Sequence, residues 1–185
     1  MKKINVLMIA LAALTLSACS AIEDAATVKV NVPDFNINIT ADVEAATRSG
    51  DGMYTGTMTP FSGSYEVSIE EQQFGDLKKY KNLMTGVTIS SVTITISQPG
   101  TTGGIAANIR LSATNVTDFT LANYNLGDVY QGDANLINFL KNAILQLKND
   151  KVTVSISGET NVASGPLDVV IAVKGIQVLA KTIEF

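Results

Sequence analysis

The stretch VTISSVTITIS, residues 87–97, carries the alternation that decides the fold class. Its apolar residues occupy odd positions up to Ile89 and even positions from Val92 onward. Successive side chains of a β-strand point to opposite faces, so a period of two indicates a strand with one buried face. The change of parity falls at Ser90-Ser91 and predicts a β-bulge there.

The segment QPGTTGG, residues 98–104, follows directly and is composed of turn-forming residues. Apolar residues then resume at every second position, namely Ile105, Ala107, Ile109 and Leu111. Two alternating runs around a short Gly-rich loop are typical of a β-hairpin. We therefore expect residues 87–97 and 105–111 to pair with each other.

The same period of two recurs along most of the chain. It is seen in residues 28–32, 35–39, 65–69, 119–121, 152–157, 169–173 and 176–185. Pro33-Asp34 separates the first two runs and predicts a bend or bulge in an edge strand, because proline cannot donate to the ladder. Gly175 is interpreted either as a hairpin turn or as a bulge within one long strand. Residues 47–64 are rich in Gly, Ser and Thr and predict a loop with a short strand near residues 53–57.

Two segments have helical spacing instead. The stronger stripe consists of Leu136, Ile137, Leu140, Ile144 and Leu147, with Asp133 as the predicted N-cap. The shorter one consists of Leu77, Tyr80, Leu83 and Met84, with Asp76 expected to cap its start and Gly86 to end it.

These patterns predict a mainly β fold, an antiparallel β-sandwich or open barrel with two short helices, formed by a single domain over residues 27–185. No internal repeat or domain boundary interrupts that range. The order of the strands is left open.

The composition excludes several classes of function. The chain has no His, no Trp and one Cys, so zinc, copper, haem and iron–sulfur sites lack ligands, and Ser-His-Asp and Cys-His catalysis are excluded. We expect no cofactor and no metal. Cleavage of the signal described below removes two lysines, which leaves eleven basic and seventeen acidic side chains and a net charge near −6. An acidic surface argues against nucleic-acid binding.

The N-terminus has the pattern of an export signal. Lys2 and Lys3 precede an apolar run over residues 4–14, and small residues follow up to Cys19. The run is too short for a transmembrane helix, which needs roughly 20 residues.

Residues 16–19, Leu-Ser-Ala-Cys, resemble the lipobox of bacterial lipoproteins at every position. The resemblance implies cleavage before Cys19, diacylglycerol on its sulfur and acylation of the new amine. Residues 1–18 are then a signal peptide and residues 19–26 an acylated tether. The chain is similar to small uncharacterised Bacteroidetes lipoproteins in its signal, size and content of Thr, Ile and Val, a resemblance that implies no activity. The absence of Asp directly after Cys19 fits sorting to the outer membrane, and we expect the protein on the periplasmic face of that membrane or at the cell surface.

Outside the lipid anchor, the strongest candidate binding residues are Lys78, Lys79, Tyr80 and Lys81 in the segment DLKKYK. A basic and aromatic cluster can contact glycans or phosphates. The alternative is that the lysines solvate the outer face of a helix whose tyrosine packs inward.

Three other features carry competing interpretations. The loop SGDGMYTG is a flexible turn or, through Asp51, a calcium loop. Glu70-Glu71 is a solvated strand end or half of a carboxylate pair. Arg48 is an ordinary loop residue or a site at which a fibre subunit is trimmed.

We therefore expect a lipid-anchored envelope protein that is not an enzyme and acts as a binding or scaffold module for a glycan, peptide or protein. The alternatives are a carboxylate-only hydrolase such as a glycosidase, and an assembly subunit of a surface fibre.

Overall fold

The computed structural model describes residues 27–44, 58–100 and 103–181. The strands are β1 (Thr27–Val32), β2 (Phe35–Val43), β3 (Thr59–Ser68), β4 (Met84–Thr88), β5 (Ser91–Ser97), β6 (Ile105–Ala113), β7 (Val116–Asn125), β8 (Val129–Gln131), β9 (Lys151–Thr160), β10 (Leu167–Lys174) and β11 (Ile176–Lys181). The α-helix α1 spans Ala134–Leu145, and three 3₁₀ segments cover Gln72–Phe74, Leu77–Leu83 and Gln146–Asn149.

The strands form two antiparallel sheets. The large sheet has the order β7-β6-β9-β3-β2-β10-β5-β8 and curls like half a barrel, and the small sheet has the order β1-β11-β4. The predicted mainly β, antiparallel fold is confirmed, and of the two predicted short helices one is an α-helix and the other a 3₁₀ segment.

Three long strands pass from one sheet into the other at a shared corner. The small-sheet order β1-β11-β4 continues as β2-β10-β5 in the large sheet. The breaks fall at Pro33-Asp34, at Gly175 and at Ser90. The apolar parity changes at these points because the buried face changes as each strand turns the corner. Gly175 is therefore neither a hairpin turn nor a bulge within one strand. The bulge predicted at Ser90-Ser91 is corrected in the same way, whereas at Pro33-Asp34 the chain follows the bend that was one of the two predicted alternatives, at the end of the edge strand β1.

Polar contacts hold the corner together. The Gly175 N–H donates to Asp34 Oδ1 at 2.8 Å, and the Ser90 N–H donates to the Lys174 carbonyl at 3.0 Å. Ser90 Oγ donates to the Gly175 carbonyl at 3.2 Å. These bonds link the three breaks to one another across the exposed corner.

The predicted hairpin between residues 87–97 and 105–111 is wrong. β5 pairs with β10 and β8, whereas β6 pairs with β7 and β9. The alternation in β6 is also interrupted, because Asn108 has a positive φ of 52° and the register with β9 shifts by one residue around it. As a result Ala106 is buried while Ile105 is 43% exposed.

The stronger helix forms as predicted. Asp133 Oδ1 accepts from the backbone N–H groups of Asn135 and Leu136 at 3.0 and 2.9 Å, which is the N-cap geometry. The buried positions are Leu136, Phe139, Leu140, Ala143, Ile144 and Leu147, while Ile137 is half-buried.

The weaker helix is shorter than predicted. Leu77–Leu83 is a 3₁₀ segment, Asp76 makes no side-chain cap bond, and Gly86 lies inside β4. Its apolar residues do face the core, since Leu77 is buried and Tyr80 and Met84 pack against the buried cluster.

One apolar core joins all the elements. Full burial of a Val, Leu, Ile or Phe side chain contributes about 1.5–3 kcal/mol, so a core of this kind can hold the fold without disulfides. Helix α1 packs against β4 and β7, which are edge strands of the two sheets. The position of α1 beside the β7 edge creates the groove described next.

Candidate functional site

Several sequence-predicted sites lie outside the described residues. These are Cys19 with its lipobox, the acidic tether, Arg48 and the loop containing Asp51. Within the described ranges, no helix is long and apolar enough to cross a membrane. The same ranges contain no group of three or more His, Cys, Asp or Glu side chains that could hold a metal ion.

The lysine and tyrosine cluster lies on the 3₁₀ segment Leu77–Leu83. Lys78 Nζ pairs with Glu70, and Lys81 Nζ pairs with Asp150. Lys79 Nζ lies 4.0 Å from Asp76 Oδ1. Each lysine therefore has a carboxylate near it, and exposed pairs of this kind contribute little stability.

The other carboxylate candidates also make local contacts. Glu71 Oε1 accepts from the Ser68 N–H at 2.8 Å, and Glu71 Oε2 accepts from Gln73 Nε2 at 2.6 Å. Glu70 contacts Lys78, so the two adjacent glutamates hold the connection from β3 into the 3₁₀ segments.

A polar groove lies between the edge strand β7 and helix α1. Its volume is about 240 Å³, and its lining consists of Thr117, Asp118, Phe119 and Thr120 from β7 with Asn135, Asn138, Phe139 and Asn142 from α1. We call this surface the Asn groove.

The three asparagines follow from the period of the helix. Positions 135, 138 and 142 are three and four residues apart, so they share one face of α1. The apolar stripe of α1 turns into the core, which leaves the asparagine row exposed beside β7.

The groove amides are not used to hold the fold. Among the described asparagines, side-chain bonds to the protein are made by Asn108, Asn125, Asn149 and Asn161, and none by the three groove residues. Each of these free amides offers donors and acceptors to a ligand.

The floor of the groove is aromatic. Phe119 and Phe139 are 4% and 2% exposed, and the Tyr130 ring lies 6.1 Å behind Phe119. Burial raises the pKa of the Tyr130 hydroxyl, and the nearby Asp133 carboxylate raises it further. Tyr130 therefore stays neutral and acts as packing behind the floor.

Charge in the groove is compensated. Asp118 is the one ionisable side chain among the lining residues, and its Oδ2 accepts from Arg110 Nε at 2.7 Å with Nη2 also in contact. The groove therefore presents neutral hydrogen-bonding groups.

A second polar cavity, of about 330 Å³, lies at the corner between the sheets and includes Asn31, Thr88 and Ser90 in its lining. The Thr88 and Ser90 hydroxyls donate to the carbonyls of Gln177 and Gly175. Two of its side chains thus serve the fold, which makes it a weaker candidate than the Asn groove.

The sequence interpretation missed the Asn groove. A signal was present, because asparagine is a poor helix former and three occur on one face of a 12-residue helix. The second wall could not be inferred, since nothing in the pattern of β7 says that it lies beside α1.

Comparisons with known proteins add little. No protein-family model matches the sequence, and no curated protein matches it at a significant level. Among solved structures the chain is similar to one from Desmodium yellow mottle tymovirus, with a TM-score of 0.30 and 14% identity over 84% of this chain and 93% of that chain. A TM-score of this size carries no argument about function.

Proposed function

We propose that this protein is a lipid-anchored protein of the bacterial envelope whose β domain acts as a non-catalytic binding module. The observation that carries the proposal is the Asn groove, in which three exposed amides make no side-chain hydrogen bond to the rest of the described residues and line a solvent-accessible space. Side-chain amides that make no bond within the described fold have their donors and acceptors available to a ligand.

The anchoring part of the proposal rests on the lipobox ending at Cys19. Two or more acyl chains are needed for stable attachment, and the implied modification supplies them. Residues 20–26 separate Cys19 from β1, and seven extended residues span at most about 25 Å. A tether of that reach would leave the domain free to turn toward a ligand.

The groove chemistry favours binding over hydrolysis. A carboxylate-only glycosidase needs two carboxyl groups about 5–10 Å apart across the scissile bond. Asp118 is the single carboxylate in the lining, and Arg110 neutralises it. An acid or base for catalysis would have to come from a second group that the groove does not contain.

Photo-crosslinking in cells tests the binding module. A photo-reactive amino acid in place of Asn142 is expected to crosslink to an envelope component. The same amino acid in place of Asn123, an exposed β7 position outside the groove lining, is the matched control. Crosslinks from both positions alike, or from neither, would contradict a binding function for the groove.

A further inference from the structure

We propose that the Asn groove binds a sugar residue of a neutral glycan. This inference rests on the proposed function and names the ligand class of the same site. It is argued from the chemistry of the lining, the room available and the absence of net charge.

The lining matches the hydroxyl groups of a sugar. A side-chain amide presents a donor and an acceptor together, so one asparagine can bond two neighbouring hydroxyls at once. Asn138 and Asn142 are separated by about 6 Å along the helix axis, roughly the distance between the exocyclic oxygens on opposite sides of a pyranose ring. Thr117 and Thr120 line the β7 side of the groove and point to opposite faces of the strand, so one of their hydroxyls at most lies beside the asparagines.

The balance of charge favours a neutral ligand. A phosphate, sulfate or carboxylate would need a cation, but no lining residue of the groove is basic, and the Arg110 guanidinium that contacts the lining is already paired with Asp118. A cationic ligand would have to displace that same pair. A neutral ligand bound by the asparagine amides needs no cation and leaves the pair of Arg110 and Asp118 intact.

The room in the groove argues against an added β-strand. Cα atoms of α1 approach within 8 Å of Cα atoms of β7. A peptide strand on the β7 edge would lie about 4.8 Å from β7 and would need a similar distance again before the helix. The close approach of α1 therefore restricts the room for such a strand at those points.

The size fits one sugar residue. About 240 Å³ is less than the roughly 300–1,000 Å³ of pockets that enclose drug-sized molecules. Because the asparagine side is exposed to solvent, the rest of a glycan chain can extend outward from a single bound residue.

The helix composition supports a role in binding. Asparagine competes with the helix for hydrogen bonds and lowers helix stability relative to alanine. Replacing Asn138 and Asn142 by Ala is therefore expected to leave α1 at least as stable while removing the ligand contacts. If these asparagines stabilised the fold instead, the same substitutions would lower the stability of the protein.

Saturation-transfer NMR on the full-length chain in detergent tests the inference. The probes are the methyl glycosides of glucose, galactose, mannose and N-acetylglucosamine at millimolar concentration, with glucuronic acid and glucosamine as charged comparisons. We expect saturation transfer to at least one neutral glycoside. The double variant N138A/N142A should weaken that binding by about tenfold or more, whereas N123A should bind as the wild type does.

Two results would overturn the inference. One is that no neutral glycoside receives saturation, and the other is that N138A/N142A binds as tightly as the wild type while unfolding at the same temperature or higher. If crosslinking at position 142 still captures a protein or peptide, the ligand class is wrong and the binding module stands. If that crosslink is also absent, the proposed function fails with it.

Discussion

At the scale of single residues, Tyr124 ties the β7–β8 connection to the large sheet. Its hydroxyl accepts from the Ile96 N–H at 3.1 Å and donates to the Asp128 carbonyl. The Tyr124 side chain is 6% exposed, and burial raises the pKa of its hydroxyl. The hydrogen bond from Ile96 lowers that pKa and the charge of Asp128 raises it, with a net increase. Tyr124 is therefore held neutral.

Tyr124→Phe is expected to lower the free energy of unfolding by about 1–3 kcal/mol, because the Ile96 N–H loses its buried acceptor. The folded-state pKa is raised, so the contribution of Tyr124 is fully present below about pH 10 and is lost as pH rises through the folded-state value. Urea unfolding should show that the difference in free energy of unfolding between wild type and variant is smaller at about pH 11 than at about pH 8. Tyr65→Phe, at a 36% exposed position, is the control, and an equal effect there would contradict the account.

Gly175 is the residue on which the corner depends. Its φ is +63°, and an added Cβ would lie 2.6 Å from Ser90 Cβ. Gly127 has φ +92°, and a Cβ added to it would meet no atom within 4 Å. Substitution of Gly127 therefore measures backbone strain alone, without a steric clash.

Gly175→Ala should therefore lose more stability than Gly127→Ala, which we expect to cost about 1–2 kcal/mol from backbone strain alone. Thermal or urea unfolding of the two variants measures the difference. Equal losses would mean that Gly175 has no close neighbour at the corner.

At the scale of elements, the start of α1 positions the asparagine row. Asp133→Ala is expected to cost about 1 kcal/mol, because two backbone N–H groups of the first turn lose their acceptor. Asp133→Asn keeps a good N-cap and should cost much less. Urea unfolding of both variants checks this, and equal losses would indicate that the charge of Asp133 matters more than its cap geometry.

The elements also show how far the sequence determines the structure. Val92, Ile94 and Ile96 alternate and form β5 with all three buried, because period-two patterning follows directly from burial of one face. The partners of β5 could not be predicted, since the pattern fixes a face and not a neighbour. The loop after β5 looked like a hairpin turn but leads the chain across to β6, which pairs elsewhere.

The candidate site was predictable to a similar degree. The helix, its Asp133 cap and most of its buried stripe follow from spacing alone. The lysine cluster around Tyr80 was visible in the sequence, yet its carboxylate neighbours Glu70 and Asp150 are brought to it by folding. Spacing along the chain therefore predicted the helix and its cap, whereas contacts between distant segments were not predicted.

At the scale of the whole molecule, β1 and β2 are part of the core. β2 lies between β3 and β10, and the two strands bury Val30, Val32, Ile37, Ile39 and Ala41. Their loss removes on the order of 10 kcal/mol of apolar burial, against a typical total stability of about 5–15 kcal/mol.

A chain lacking residues 1–48 is therefore expected to be unfolded when isolated, whereas a chain lacking residues 1–26 should fold. Circular dichroism and urea transitions distinguish the two. This bears on the fibre-subunit alternative, because trimming at Arg48 would require a strand from another molecule to replace β2. A folded monomer without residues 1–48 would contradict the assigned role of these strands.

The central claim is that lipid on Cys19 holds this β domain at the envelope with the Asn groove free to bind. The most direct measurement is membrane fractionation of cells that produce the wild type or Cys19→Ala, followed by protease treatment of intact cells. We predict that the wild type sediments with the membrane and that Cys19→Ala is released into the soluble fraction, while protease sensitivity reports which side the domain faces. Retention of Cys19→Ala in the membrane fraction would contradict the claim.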